Sequence, residues 1–116
     1  PEGGASVTIN EYQKAALRTA GTNNVDDLLI NGAMGLCGEA GEFIDLIKKW
    51  QFQGHALDAE HLIKELGDVA WYMAIAATGI GVTLEHVLQL NIEKLRERYP
   101  DGFDPEHSLH RREDDI

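Results

Sequence analysis

Cysteine is almost missing from this chain: Cys37 is the only one in 116 residues. An intrachain disulfide is therefore excluded, and cysteine usage gives no sign of secretion. Cys37 lies off the apolar arc of its segment with no support for a nucleophilic role, so it reads as a small packing residue. Long apolar runs are missing too. The longest, Val69 to Val82, abuts Asp68 and falls short of the roughly 20 residues a spanning helix needs. No basic-apolar leader is present. These absences predict a soluble, cytoplasmic protein with no membrane partner. Basic residues are scarce, 10 against 20 acidic, for a formal net charge of -10. That balance argues against a nucleic-acid polymer as partner, because phosphate neutralisation by Lys and Arg dominates such binding. It suits a protein that collects cations, although an acidic surface also serves solubility alone. The phosphate-loop pattern GxxxxGK[ST] does not occur, nor do HExxH or ExxH, and the five histidines form no metal pattern.

What is present suits one domain, with 43% hydrophobic and 26% charged residues. Four helical segments are expected and no strand. The first runs from Ile9 or Asn10 to Ala20, the second from Asp27 to Phe52, the third from Asp58 or Ala59 to Thr78, the fourth from Leu84 to Tyr99. Gly21, Gly54 and the GIG at 79–81 punctuate them, Thr83 is an N-cap candidate, and Pro100 ends the last. Glycines 32, 35, 38 and 41 are costly in a helix and suggest a bare stripe for close approach by a helix or ligand. The expected fold is all-α, an up-and-down bundle of four main helices over residues 8–103. Residues 1–7 are expected to be disordered or left over from processing, and residues 104–116 to form a flexible polar tail.

Two helices carry acids where a core face is expected. In GLCGEAGEFIDLIKKW (35–50), Leu36, Phe43, Leu46, Ile47 and Trp50 fall in one arc. Glu39 sits in mid-arc and Glu42 at its edge. An unpaired buried carboxylate costs several kcal/mol or takes up a proton. In the third helix Leu62, Leu66, Val69 and Met73 mark the apolar face, flanked by Glu65 and Asp68 at the same i, i+3 spacing. Antiparallel helices pack about 8–10 Å apart, so the two pairs can converge. Four converging carboxylates repel unless a cation joins them, and oxygen-only donors select Mg²⁺, or Mn²⁺ in its place. Acid pairs at this spacing are also frequent on solvated faces; Glu39 in mid-arc, matched by a second pair, favours metal.

In the fourth helix Asn91 lies among Leu84, Leu88 and Leu95, with Lys94 and Arg98 on the same side, a set suited to gripping phosphate. Lys and Arg stems covering a core edge are the competing reading for either cation alone. Lys49 lies on Glu42's side of the second helix and can serve the same site, whereas Lys48 points away. Trp50 and Tyr72 offer surfaces for a base, with core packing the first reading for Trp50. His55 in QGHALD lies within reach of a bound phosphate or is an exposed loop residue.

Taken together, GLCGEAGEFIDLIKK, KELGDVAWYMA and NIEKLRERYPDGF, with the NEYQKAALRTA start and the GHALD loop, resemble the MazG-like all-α nucleoside triphosphate pyrophosphohydrolases over roughly residues 8–103. The resemblance implies Mg²⁺-dependent cleavage of a nucleoside triphosphate between the α and β phosphates. It implies Glu39, Glu42, Glu65 and Asp68 as metal ligands, and Asn91, Lys94 and Arg98, with Lys49, toward the phosphates; Glu42 and Glu39 are the candidate catalytic carboxylates, Glu42 at the edge of the arc being the choice for general base. Asn31, Trp50, His55 and Tyr72 are the candidates for base or sugar. A homo-oligomer, dimer or tetramer, is implied as well. Two alternatives stand beside this reading. One is a phosphoribosyl-ATP pyrophosphohydrolase of the same fold; the other is a non-catalytic helical interaction module, which leaves Asn91 on a buried face unexplained.

Overall fold

The computed structural model describes residues 6–103, 105 and 106. Among these, four helices and no strand occur: α1 (Ile9–Leu17), α2 (Val25–Phe52), α3 (Ala59–Ile80) and α4 (Leu84–Arg98). The all-α expectation holds, with shifted ends. The terminal segments set apart by sequence lie mostly outside the described residues.

Local chemistry sets the starts. Thr8 and Glu11 form a reciprocal capping box: Glu11 N–H donates to Thr8 Oγ1 at 3.1 Å, and Thr8 N–H to Glu11 Oε1 at 2.9 Å. That exchange holds the Glu11 carboxyl below its ordinary range, the Thr8 backbone N–H being the main cause. Asn24 caps α2 by accepting from Asp27 N–H at 3.0 Å, which moves the start two residues ahead of the expected Asp27. Asp58 caps α3 through His61 N–H at 3.1 Å. Gly81, at φ 92°, ends α3 in the left-handed conformation glycine adopts without steric cost.

Two compact units result, one reaching to Leu84 and one starting at Glu85. In the first, α2 and α3 run antiparallel and supply most of the packing, with α1 against α3. The pairing is closest at glycine. A Cβ on Gly32 would stand 2.8 Å from the Ala76 backbone nitrogen, and one on Gly79 would stand 2.6 Å from Leu29 N. At Gly35 it would collide with the Tyr72 ring. Gly38 and Gly41 meet nothing. The expected stripe is thus only half a contact, because a three-residue step turns about 300° and each glycine falls about 60° behind the last.

The core comprises Ala16, Leu28, Ala74, Ile75, Ala77 and Leu84, toward the end of the hairpin remote from its 53–58 loop. Gln13 is buried among them, with both ends of its amide hydrogen-bonded. It donates to Thr78 Oγ1 at 2.9 Å and to Val82 O at 3.3 Å, and its Oε1 accepts from Leu84 N–H at 2.7 Å. One side chain therefore ties α1 to the end of α3 and satisfies an orphan donor at the start of α4. Trp71 Nε1–H donates to Thr19 Oγ1 at 2.9 Å, a second tie to the segment after α1.

In the second unit, α4 leads to a turn in which Gly102 N–H donates to Tyr99 O at 3.1 Å. The Tyr99 and Phe103 rings lie 5.3 Å apart. Asn91 is exposed, not buried as its sequence position suggested, and Leu95 is 44% exposed. α4 is the one long helix among the described residues of its unit, so its apolar side has little there to pack on.

The glycine contacts make a paired prediction. Gly32→Ala is expected to destabilise by about 1–3 kcal/mol, because the added methyl meets backbone. Gly38→Ala is expected to stabilise by about 0.5–1 kcal/mol through helix propensity in open space. Urea unfolding followed by circular dichroism measures both.

Candidate metal centre

Antiparallel pairing sets the middle of α2 opposite the middle of α3, which brings the two acid pairs to one place. One carboxylate oxygen each from Glu39, Glu65 and Asp68 lie within 4.8 Å of one another. Glu39 and Glu65 are half-buried and Asp68 is exposed. Glu42 is exposed and stands outside this group, although its charge reaches Glu39. Three of the four expected acids therefore converge and the fourth borders them.

The group is under electrostatic tension. A side-chain hydrogen bond with Glu65 is the largest cause raising Glu39 above the ordinary glutamate range. Burial and the charges of Glu65, Asp68 and Glu42 push the same way. A proton shared between the two carboxylates relieves a repulsion that a divalent cation would relieve more fully. The donor set is all oxygen, which fits a hard cation such as Mg²⁺. α1 adjoins the group through Tyr12, whose hydroxyl is raised by burial first and by the Asp68 charge second.

Toward the hairpin loop lies a cavity of about 270 Å³ lined by Leu46, Lys49, His55, Asp58, His61 and Leu62, among others. Lys49 pairs with Asp45, Nζ to Oδ2 at 3.0 Å, and this contact is the main cause holding the Asp45 carboxyl below its usual range. Lys48 meets the same carboxylate at 3.7 Å. The Lys49 carbonyl accepts from Gln53 and His55 N–H, closing α2 and fixing His55 beside the cavity. His61 Nε2 stands 3.5 Å from Glu65 Oε2, linking cavity to acids.

The remaining candidates are dispersed. Tyr72 packs on Gly35 and makes an edge contact with Trp71, centroids 4.9 Å apart. Trp50 is 42% exposed rather than core, and Leu66, assigned to the apolar face of α3, is also exposed. Asn31 sits on the exposed side of α2. Cys37 is exposed, not a packing residue. Lys94 and Arg98 are half-buried on α4, with the Arg98 guanidinium 6.0 Å from the Tyr99 ring centroid. Sequence reasoning passed over Gln13, Tyr12 and His61. For His61 a signal existed, its i, i+4 spacing to Glu65.

Residues 31–103 match the family model described as the MazG nucleotide pyrophosphohydrolase domain. The chain is also 37% identical over 103 residues to the Gene 37 protein of Mycobacterium phage L5, covering 81% of this chain and 90% of that protein. No solved structure matches significantly.

The raised Glu39 carboxyl makes a signed prediction. An acid raised on folding contributes stability that is full below its unfolded pKa and is lost as pH rises through the folded value. In EDTA, Glu39→Gln is therefore expected to melt above wild type, with the gap opening as pH climbs past the ordinary glutamate range. Thermal scans of both proteins across pH measure it; equal melting at every pH would refute the tension at Glu39.

Proposed function

The chain belongs to the MazG nucleotide pyrophosphohydrolase family, and on that premise we propose that it is a nucleoside triphosphate pyrophosphohydrolase, hydrolysing the α–β phosphoanhydride to a monophosphate and pyrophosphate. The observation that carries this reading is the convergence of Glu39, Glu65 and Asp68 from two antiparallel helices. These three would hold Mg²⁺, or Mn²⁺ in its place, with Glu42 beside them. Bound there, the metal supplies neutralisation of phosphate oxygens and a lowered pKa for water.

The chain's own residues do the rest. Glu42, exposed and outside the group of three acids, is the carboxylate we assign to orient the attacking water and accept its proton. One water adds at the α phosphorus, the α–β bridging oxygen leaves with pyrophosphate, and the proton passes to solvent. Lys49, once drawn from Asp45, is assigned to the charge that grows on the leaving group; Asn91, Lys94 and Arg98, in the second unit, are kept as phosphate-binding candidates on the family resemblance alone. His55, with Lys49 on the cavity wall, serves substrate binding. Trp50, with nearly half its surface open, is the better of the two aromatic candidates for stacking on a base. Asn31 stays a candidate for base or sugar.

The working form is a homo-oligomer in the cytoplasm, engaged in nucleotide-pool housekeeping. Exposed Ile30, Met34 and Ile44 on α2 and Ile63 and Leu66 on α3 give the hairpin apolar surface that a second copy would cover. The balance of 20 acidic to 10 basic residues supports a small-molecule substrate over a nucleic-acid polymer. Among the described residues no single helix is long and apolar enough to cross a membrane.

The test is product analysis on a panel of canonical and modified nucleoside triphosphates and phosphoribosyl-ATP, with Mg²⁺, Mn²⁺ or EDTA. Metal-dependent release of pyrophosphate and monophosphate is expected, with Glu39→Gln reducing the rate at least about 100-fold, the scale of losing one key charge-stabilising group. Orthophosphate with a diphosphate product would refute α–β cleavage. Turnover of phosphoribosyl-ATP alone would transfer the assignment to that enzyme class, and inactivity of folded protein would favour the interaction module.

A further inference from the structure

His61 plays no part in the reaction as proposed, yet its placement is specific. The Asp58 cap anchors the His61 backbone N–H at 3.1 Å and so sets where the first turn of α3 begins. One turn on, Glu65 lies on the same helix face, with His61 Nε2 at 3.5 Å from its Oε2. The two side chains differ in environment: His61 is 49% exposed, and Glu65 only 14%. The other side of His61 borders the cavity it shares with Lys49 and His55.

An exposed i, i+4 pair on a helix adds little to stability. Lys64 with Glu60, 4.0 Å apart and both open to solvent, is a pair of that kind on this same helix. Glu65 is different because it is mostly covered and already engaged with Glu39. A glutamate has rotamer freedom to lose, and a carboxylate offers about four lone-pair sites over two oxygens. A nitrogen 3.5 Å from Oε2 occupies one side of the carboxylate and leaves the rest of it open to Glu39 and Asp68.

We propose that His61 is a positioning residue: it holds Glu65 turned into the acid cluster from the cavity side, so that the cation site is preformed on α3. The inference rests on the metal reading of that cluster. Groups that hydrogen-bond to metal-ligating side chains orient them in this way.

The experiment is a calorimetric Mn²⁺ titration of the full chain, without nucleotide, for wild type, His61→Ala, His61→Gln and Lys64→Ala, each checked for helicity. His61→Ala is expected to weaken Mn²⁺ binding about tenfold, the lower end of the usual loss for such an orienting group. His61→Gln, which restores an N–H at similar reach, is expected to recover most of it, and Lys64→Ala to match wild type. Unchanged binding by His61→Ala overturns the positioning role alone, as does equal weakening by His61→Gln. Wild type that binds no Mn²⁺ overturns both this role and the metal reading.

Discussion

The structure depends on one steric constraint, the close approach of α2 to α3. At Gly32 and Gly79 the helices come so near that backbone of the partner occupies the space of a missing methyl. Gly35 gives its space to the Tyr72 ring. These contacts set the register of the hairpin, and register decides which acids face each other. A slide of one helical turn, about 5.4 Å, exceeds the 4.8 Å within which the oxygens of Glu39, Glu65 and Asp68 now lie and would break up the group. Glycines that weaken helix propensity therefore position charges further along the same pair of helices.

The hairpin divides its labour along its length. One end holds Leu28, Ala74, Ile75 and Ala77 in the core, tied to α1 by Gln13. The middle holds a carboxylate cluster in which Glu39 is driven toward its protonated form. Beyond it, toward the loop, Lys49, His55 and His61 surround a small cavity. Packing at the first end secures the geometry that repulsion in the middle opposes. A cation would remove that opposition, which couples ligand binding to stability.

Much of this was legible in the sequence because helical periodicity is a one-dimensional signal. The i, i+3 acid pairs and the four helices follow from spacing and from side-chain chemistry acting over three or four residues. Asn91 shows the limit. Its position among leucines reads as buried, but burial depends on what lies opposite, and within its unit α4 has little to pack on. The argument against an interaction module that relied on a buried Asn91 falls with it. Trp50 and Cys37 failed for the same reason, since both were assigned to packing and both are exposed. The glycine stripe meets α3 only at Gly32 and Gly35, because a period of three drifts around a helix of 3.6.

By itself, the sequence determined that this chain is helical, that its middle helices carry paired acids, and that its acidic residues outnumber its basic ones 20 to 10. Those properties belong to residue type and local spacing. Only the tertiary structure decided that three acids meet while Glu42 stands aside, and that Tyr72 packs on Gly35. Each of these depends on the distance between the two helices and their rotation. Steric contact at a few glycines sets both, and no single helix contains that information.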